Sequence, residues 1–353
     1  MKTSIKTNTD AILNNDKRFP FNKMDGNTLR LLIIMFTLLG IASITKPDSF
    51  LSLANFLSME KQLVEYGLLA IGVGIAMIAG GIDLSVVYIA NLSAIVAGIF
   101  MQSYATAVTG TEQIIFIILG ILLGLLTGVI CGLFNGFLIA KLRIPAMLAT
   151  LGTMQLFMGL SIIITKGGIV SGLPQPFTEL GRTNVFQIFT LSFIVYLVIV
   201  AIVSYYIGRT KYGMQLYLLG TNEKASKFTG IKNNKIIMRA YMLSGVIAAS
   251  AGILSLARIN SAKADFGSSF VMLTILIAVL GGINPSGGKG KIYGIFLATI
   301  IVQLMSSYLN MFPNISNFYR DMIWGTALIV VLIVNFVLNK KSEARLMRIT
   351  SQQ

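Results

Sequence analysis

Residues 72–100 read GVGIAMIAGGIDLSVVYIANLSAIVAGIF. The stretch is almost wholly apolar, yet Asp83 stands in its middle, just after Gly80 and Gly81. Apolar runs of about 20 residues are what a bilayer-crossing helix requires. A carboxylate inside one is costly unless local hydrogen bonds or neighbouring helices answer it. The whole chain has this character: 55% of its 353 residues are hydrophobic and only 12% are charged, with a mean hydropathy of +0.80. Soluble domains carry roughly 25% charged residues. Helices close their own backbone hydrogen bonds in hydrocarbon, and the continuous runs here lack the alternation of a transmembrane barrel. The sequence predicts an all-α polytopic membrane protein.

Working outward, runs near 29–45, 64–79, 84–104, 114–140, 146–165, 188–208, 236–258, 268–281, 291–311 and 320–338 predict about ten transmembrane helices. Three quarters of the 28 Lys and Arg residues fall in the segments on one side of that arrangement. By the positive-inside rule both termini are then cytoplasmic. The chain divides into a cytoplasmic tail (1–28), a transmembrane domain (29–338) and a second tail (339–353). The opening MKTSIKTNTDAILNNDKRFPFNKMDGNTLR is polar and basic, and reads as a solvated tail, not a removable signal peptide. The net charge of +15 is thereby a matter of topology, with no nucleic-acid partner implied.

There is no histidine, and Cys131 is the single cysteine, within an apolar run. That removes histidine relays, Ser-His or Cys-His catalysis, cysteine metal sites and internal disulfides. No phosphate-binding loop of the GxxxxGK[ST] kind occurs; SGGKGK at 286–291 lacks the earlier glycine and the hydroxyl after lysine. Glycines 120, 124, 128, 132 and 136 recur every fourth residue, a pattern for close helix packing.

The segment AGGIDLS at 79–85 is echoed by LGGINPSGGKG at 280–290, and both follow runs that look short for a full crossing. Such paired glycine-interrupted segments point to a transport site and to a possible internal two-half repeat. Gly80, Gly81, Asp83, Ser85, Gly281, Gly282, Asn284 and Ser286 are therefore helix-break or path candidates, joined by Asn91 and Asn135 from within the spans. Asp83 has two compatible readings. It N-caps a helix beginning at Leu84, or it lines a polar path at a helix break. Ser93, Thr150, Thr153, Gln155 and Gln303 read mainly as interhelical hydrogen-bonding groups.

The longest internal loop lies within 208–245. Its TNEKASKFTG has the marks of one short helix, capped by Thr221 or Asn222, with Glu223 in the first turn and Gly230 at the end. Ala225 and Phe228 share a face. Spacing alone leaves two fates for that face, a partner's groove or lipid headgroups.

Five blocks in order carry a family resemblance: GGIDLS (80–85), GLFNGFLIAKLRIPAMLATLGTM (132–154), LGTNEKASKFTGI (219–231), YMLSGVIAASAGIL (241–254) and VLGGINPSGGKGKIYG (279–294). They resemble the permease subunits of binding-protein-dependent ABC importers of the ribose, galactose, xylose and autoinducer-2 type, over roughly residues 50–338. The resemblance implies a multi-pass protein of the bacterial cytoplasmic membrane that pairs with a second permease subunit, identical or paralogous. It implies an extracytoplasmic solute-binding protein and a cytoplasmic ABC ATPase as partners. ATP and Mg would then belong to the ATPase, with no cofactor bound by this chain. It makes 220–231 a coupling helix docking on the ATPase, with Gly220, Asn222, Glu223, Ala225, Phe228 and Gly230 at the contact. The proline of GGINPSGGKG departs from many members. The expected function is translocation of a sugar or similar polyhydroxylated solute, weakly held by the permease. Nucleosides or another small solute are the alternative within the family. From another class, a stand-alone ion-coupled transporter would use Asp83 as its ion site. An enzyme finds no constellation of catalytic groups.

Overall fold

Apolar runs bounded by capping residues become helices here. The computed structural model describes residues 26–185, 189–312, 319, 322–331 and 333. Helix α1 spans Gly26–Thr45, followed by one turn, α2, at Pro47–Phe50. Then come α3 (Leu53–Ile78), α4 (Val86–Phe100, continued by a π-helical turn at Met101–Ala105), α5 (Thr111–Ala140) and α6 (Ala146–Thr165). The short α7 (Gln175–Arg182) precedes α8 (Leu191–Arg209). Helices α9 (Lys211–Thr221) and α10 (Glu223–Phe228) lead into α11 (Asn233–Ile259), α12 (Phe270–Leu280) and α13 (Ile292–Asn310). Met322–Val331 forms α14. Side-chain caps start several of them: Ser52 accepts from Asn55 N, Thr190 from Phe193 N and Thr210 from Gly213 N.

Eight of these helices are long and apolar enough to cross a membrane, and α12 and α14 are shorter apolar helices, which together meet the expectation of about ten. The tails at 1–25 and 339–353, and much of the run at 320–338, lie outside the described residues. One expectation is corrected. The run at 64–79 belongs to a 26-residue helix that begins at Leu53, so of the two runs before the glycine turns α12 alone, with 11 residues, is short for a crossing. Glu60, Lys61 and Glu65 masked its beginning in the sequence. The two acids are buried because each has a partner: Glu60 Oε2 accepts from Thr190 N at 3.0 Å, and Glu65 pairs with Arg258.

The middle of the bundle is α3, α4 and α11, whose membrane-length windows are 89%, 72% and 67% buried; α1, at 11%, lies at the edge. Helix α11 packs along α3, α4 and α5. The glycine stripe of α5 makes this possible. A Cβ on Gly136 would sit 2.8 Å from the Met238 Cα, and one on Gly128 2.5 Å from the Ala249 Cβ. Gly132 meets the Tyr241 backbone, while Gly120 and Gly124 face α4 and its π-helical extension, with Gly124 also against Ile253. The stripe is a packing seam, as its spacing predicts. At one end of the bundle, two-residue ladders pair β1 (Val170–Ser171) with β4 (Ser261–Ala262), and β2 (Asn184–Val185) with β3 (Phe189–Thr190), all antiparallel. The other end carries the glycine turns.

Gly128→Leu forces α5 and α11 apart at a backbone contact, an overpacking error of about 1–3 kcal/mol or more. The detergent-purified variant is expected to lose several degrees in its thermal midpoint. Gly152→Ala, whose Cβ meets nothing within 4 Å, leaves the midpoint unchanged.

Candidate functional site

Two helices of the bundle end in glycine turns that repeat each other. After α3, Gly80 takes φ +92°, its N–H bonds Met77 O at 2.9 Å, and Gly81 N–H bonds Ala76 O at 3.1 Å. After α12, Gly282 takes φ +90°, with Gly282 N–H on Val279 O and Ile283 N–H on Ala278 O, both at 3.0 Å. The left-handed residue is the first glycine of one pair and the second of the other, so the geometry is one residue out of step with the sequence echo. Two residues on, the step is restored. Asp83 Oδ1 accepts from Ser85 N at 3.0 Å, and Asn284 Oδ1 accepts from Ser286 N at 3.0 Å, the same Asx turn in both halves.

The turns touch. Gly288 N–H donates to Ile78 O at 3.0 Å, and a Cβ on Gly287 would stand 2.8 Å from the Gly80 Cα. Gly220, near the end of α9, is wedged between them: a Cβ there would lie 2.5 Å from Gly288 N and collide with Ile78 O. Gly281 packs against the Gly294 backbone, and its carbonyl accepts from Asn27 Nδ2 at 3.2 Å. Three backbone segments thus meet where none has room for a side chain.

Asp83 is wholly buried, and helix α4 begins at Val86, not at Leu84. Its carboxylate stands outside the N-cap position and ties helices together. Oδ1 also accepts from Ser85 Oγ at 2.7 Å, and Oδ2 accepts from Ser244 Oγ of α11 at 3.0 Å. Asn135 Nδ2 of α5 donates to Ser85 Oγ at 2.7 Å. Thr150 of α6 donates to Ile82 O at 3.0 Å. Among the described residues Asn135 Oδ1 and Tyr241 Oη, beside this network, are buried without a hydrogen-bond partner. Gly80 and Gly81 line a cavity of about 220 Å³ with Arg143, Glu223 and Tyr241. Asn91 lies apart from the turns, its Nδ2 donating to Ala264 O and Phe266 O at 3.0 and 2.9 Å.

In the loop, Thr221 closes α9 and Asn222 caps α10, accepting from Ala225 N at 3.0 Å. Gly230 follows the end of α10 with φ +80°. The inner face of α10 is pinned: Ser226 Oγ donates to Asn233 Oδ1 at 3.0 Å, and Asn233 Nδ2 donates to Glu223 O at 2.9 Å. Glu223 also pairs with Arg143 at 2.6 Å, joining α10 to the α5–α6 turn. On the outer face Ala225 is exposed, and Phe228, 92% exposed, is the most exposed large apolar side chain among the described residues.

Sequence reasoning missed Gly220's place in the junction, Ser244 as a partner of Asp83, and the Arg143–Glu223 and Glu65–Arg258 pairs. Only contacts remote in sequence define these roles. Among the described residues no three His, Cys, Asp or Glu side chains gather as metal ligands would.

A family described as branched-chain amino acid transport system / permease component matches residues 56–332. The ribose import permease protein RbsC of Bacillus subtilis is 35% identical over 95% of this chain and 99% of its own length. The autoinducer 2 import system permease protein LsrC of Yersinia enterocolitica is 32% identical over 90% of this chain and 83% of its own. No solved structure matches the chain. With 277 of its residues under the family match and relatives aligned over nearly its whole length, the chain belongs to this family of transport-system permease components.

Proposed function

We propose that this chain is the pathway subunit of an ATP-driven importer that takes a sugar, or a similar polyhydroxylated solute, across the bacterial cytoplasmic membrane. The carrying observation is helix α10, rigidly pinned on its inner face while it presents Ala225 and Phe228 outward. An exposed phenyl ring on a fixed short helix suits a groove in a partner protein better than a wandering loop would. The names of the relatives, ribose and autoinducer-2 import permeases, support the sugar-type solute.

In this reading 220–231 is the coupling helix of the 29–338 permease domain, both tails are cytoplasmic, and the lysine- and arginine-rich end faces the ATPase. ATP and Mg are held by that separate subunit. A solute-binding protein delivers cargo on the other side, and a second permease subunit completes the pathway. Movement of the ATPase pushes α10, which is continuous with α9 through Asn222. Gly220 carries the push to the joined ends of α3 and α12, so the two halves shift between discrete packings. Gly80, Gly81, Gly281 and Gly282 act as the bends of that motion.

The test is co-purification through a C-terminal tag, followed by ATP-driven uptake in proteoliposomes with the recovered partners. Phe228→Asp together with Ala225→Asp is expected to lose the ATPase subunit and lower uptake by about 30-fold, the scale of a central interface residue worth about 2 kcal/mol. Retention of both ATPase and uptake would remove α10 as the coupling element. A chain recovered alone that transports without ATP would sink the importer reading altogether.

Replacing Asp83 separates a tie from an ion site. Asp83→Asn can still accept from Ser85 through Oδ1 while its Nδ2 donates to the Ser244 hydroxyl, and loses about 1–2 kcal/mol of charge-assisted hydrogen bonding. It is expected to lower the thermal midpoint modestly while part of the ATP-driven uptake survives. Asp83→Leu strands Ser85 and Ser244 and is expected to prevent stable assembly. Complete loss of transport in a fully folded Asp83→Asn protein would favour the ion-site reading.

A further inference from the structure

The half of the bundle away from the glycine junction contains a cavity of about 510 Å³, within the roughly 300–1,000 Å³ of small-molecule sites. Its wall has two kinds of surface. Glu65 and Arg258 supply polar groups, while Tyr66, Phe266, Phe270 and Trp324 supply aromatic residues. Arg258 Nε and Nη2 both donate to Glu65 Oε1, at 3.0 and 2.5 Å. That leaves Oε2 and Nη1 without a hydrogen bond among the described residues. The Glu65 side chain is only 7% exposed. Tyr66 is buried and packs edge-on against Phe270 with centroids 6.0 Å apart.

A buried ion pair adds little stability compared with apolar packing. Here an acceptor and a donor with spare capacity adjoin one space. A vicinal diol satisfies such a set: one hydroxyl donates to the carboxylate while its neighbour accepts from the guanidinium. The charges already answer each other, so the wall suits a neutral solute rather than an ion. The apolar C–H face of a sugar ring packs against aromatic rings. On the far side, Phe266 and Phe270 also line a much smaller space, about 20 Å³, with Asn91 and Ser255. These two rings partition the cavity from the bundle's middle, and Asn91, bonded to the Phe266 carbonyl, positions the partition.

We propose that this cavity is a monosaccharide subsite of the permease itself, with the Glu65–Arg258 pair bonding the hydroxyls and Phe266, Phe270 and Trp324 packing the ring. The subsite rests on the importer reading above and gives its solute a first foothold inside the membrane protein.

Trp324 is the chain's single tryptophan, so tryptophan emission reports on the surroundings of this one wall residue. Full-length protein in lipid nanodiscs is titrated with D-ribose, D-xylose and D-galactose into the millimolar range, with the L-enantiomers as controls at equal concentration. The expected result is a saturable, enantiomer-dependent change with at least one sugar. Glu65→Gln keeps the side chain's size and removes its charge, and is expected to weaken that binding by about fivefold or more, the scale of one buried hydrogen bond. Flat emission with all three sugars overturns the subsite, as does a Glu65→Gln protein with unchanged affinity. The readout needs neither ATPase nor binding protein. ATP-driven sugar uptake by the complete importer alongside flat emission therefore sinks the subsite and leaves the importer standing. A complete importer that takes up no sugar sinks the importer reading and the subsite with it.

Discussion

A carboxylate cut off from water has its charge answered by whatever the protein places around it, and around Asp83 the protein places hydroxyls. Ser85 bends the chain into α4, Ser244 belongs to α11, and Asn135 of α5 reaches the acid through Ser85. Because no cation among the described residues pairs with it, the acid depends on short neutral donors held at fixed distances. Those distances exist only while α4, α5 and α11 are seated against one another. The arrangement in turn requires the glycine seam of α5, since a single Cβ at Gly128 or Gly132 would hold α11 away. One buried charge and one row of absent side chains therefore define the same three-helix centre.

The opposite principle governs the junction of Gly80, Gly220 and Gly288. Backbone meets backbone, with the Thr221 hydroxyl set against Gly288, and the hydrogen bond from Gly288 to Ile78 joins the two halves. Packed interfaces of this kind shift between discrete arrangements rather than deform smoothly. Position matters as much as contact. The junction adjoins α10 on one side and the ends of α3 and α12 on the other, so whatever moves the loop reaches the membrane helices without a flexible link between.

Much of this was legible in the chain. Hydropathy placed the apolar helices, the four-residue glycine period identified its seam, and Asn222, Glu223 and Gly230 framed α10 within a residue. The echo of GGIDLS in GGINPS corresponds to a true likeness of turn geometry, although the left-handed glycine is shifted by one. What the chain hid was pairing. Glu60 and Glu65 look like reasons to end a membrane helix, and only Thr190 and Arg258, far along the sequence, show that they sit inside one. Asp83 beside Ser85 reads as a local cap, while Ser244 makes it a tie between helices. Local chemistry is written locally; partners brought together by topology are not.

The bond between Gly288 and Ile78 also bears on how the protein is made. The chain emerges from the ribosome amino end first, and α3 enters the bilayer long before the second glycine turn exists. Until then the end of α3 lacks its backbone donor, and the narrow space beside Gly80 stays unfilled. Before then that carbonyl lies at the loop end of α3, beside the place of α9 and α10, where water can stand in for the later donor. The first half is thus completed only by the second, which exchanges that water for the Gly288 N–H and fills the space beside Gly80. A chain stopped between the two turns would hold the helices of its first half with that end still open.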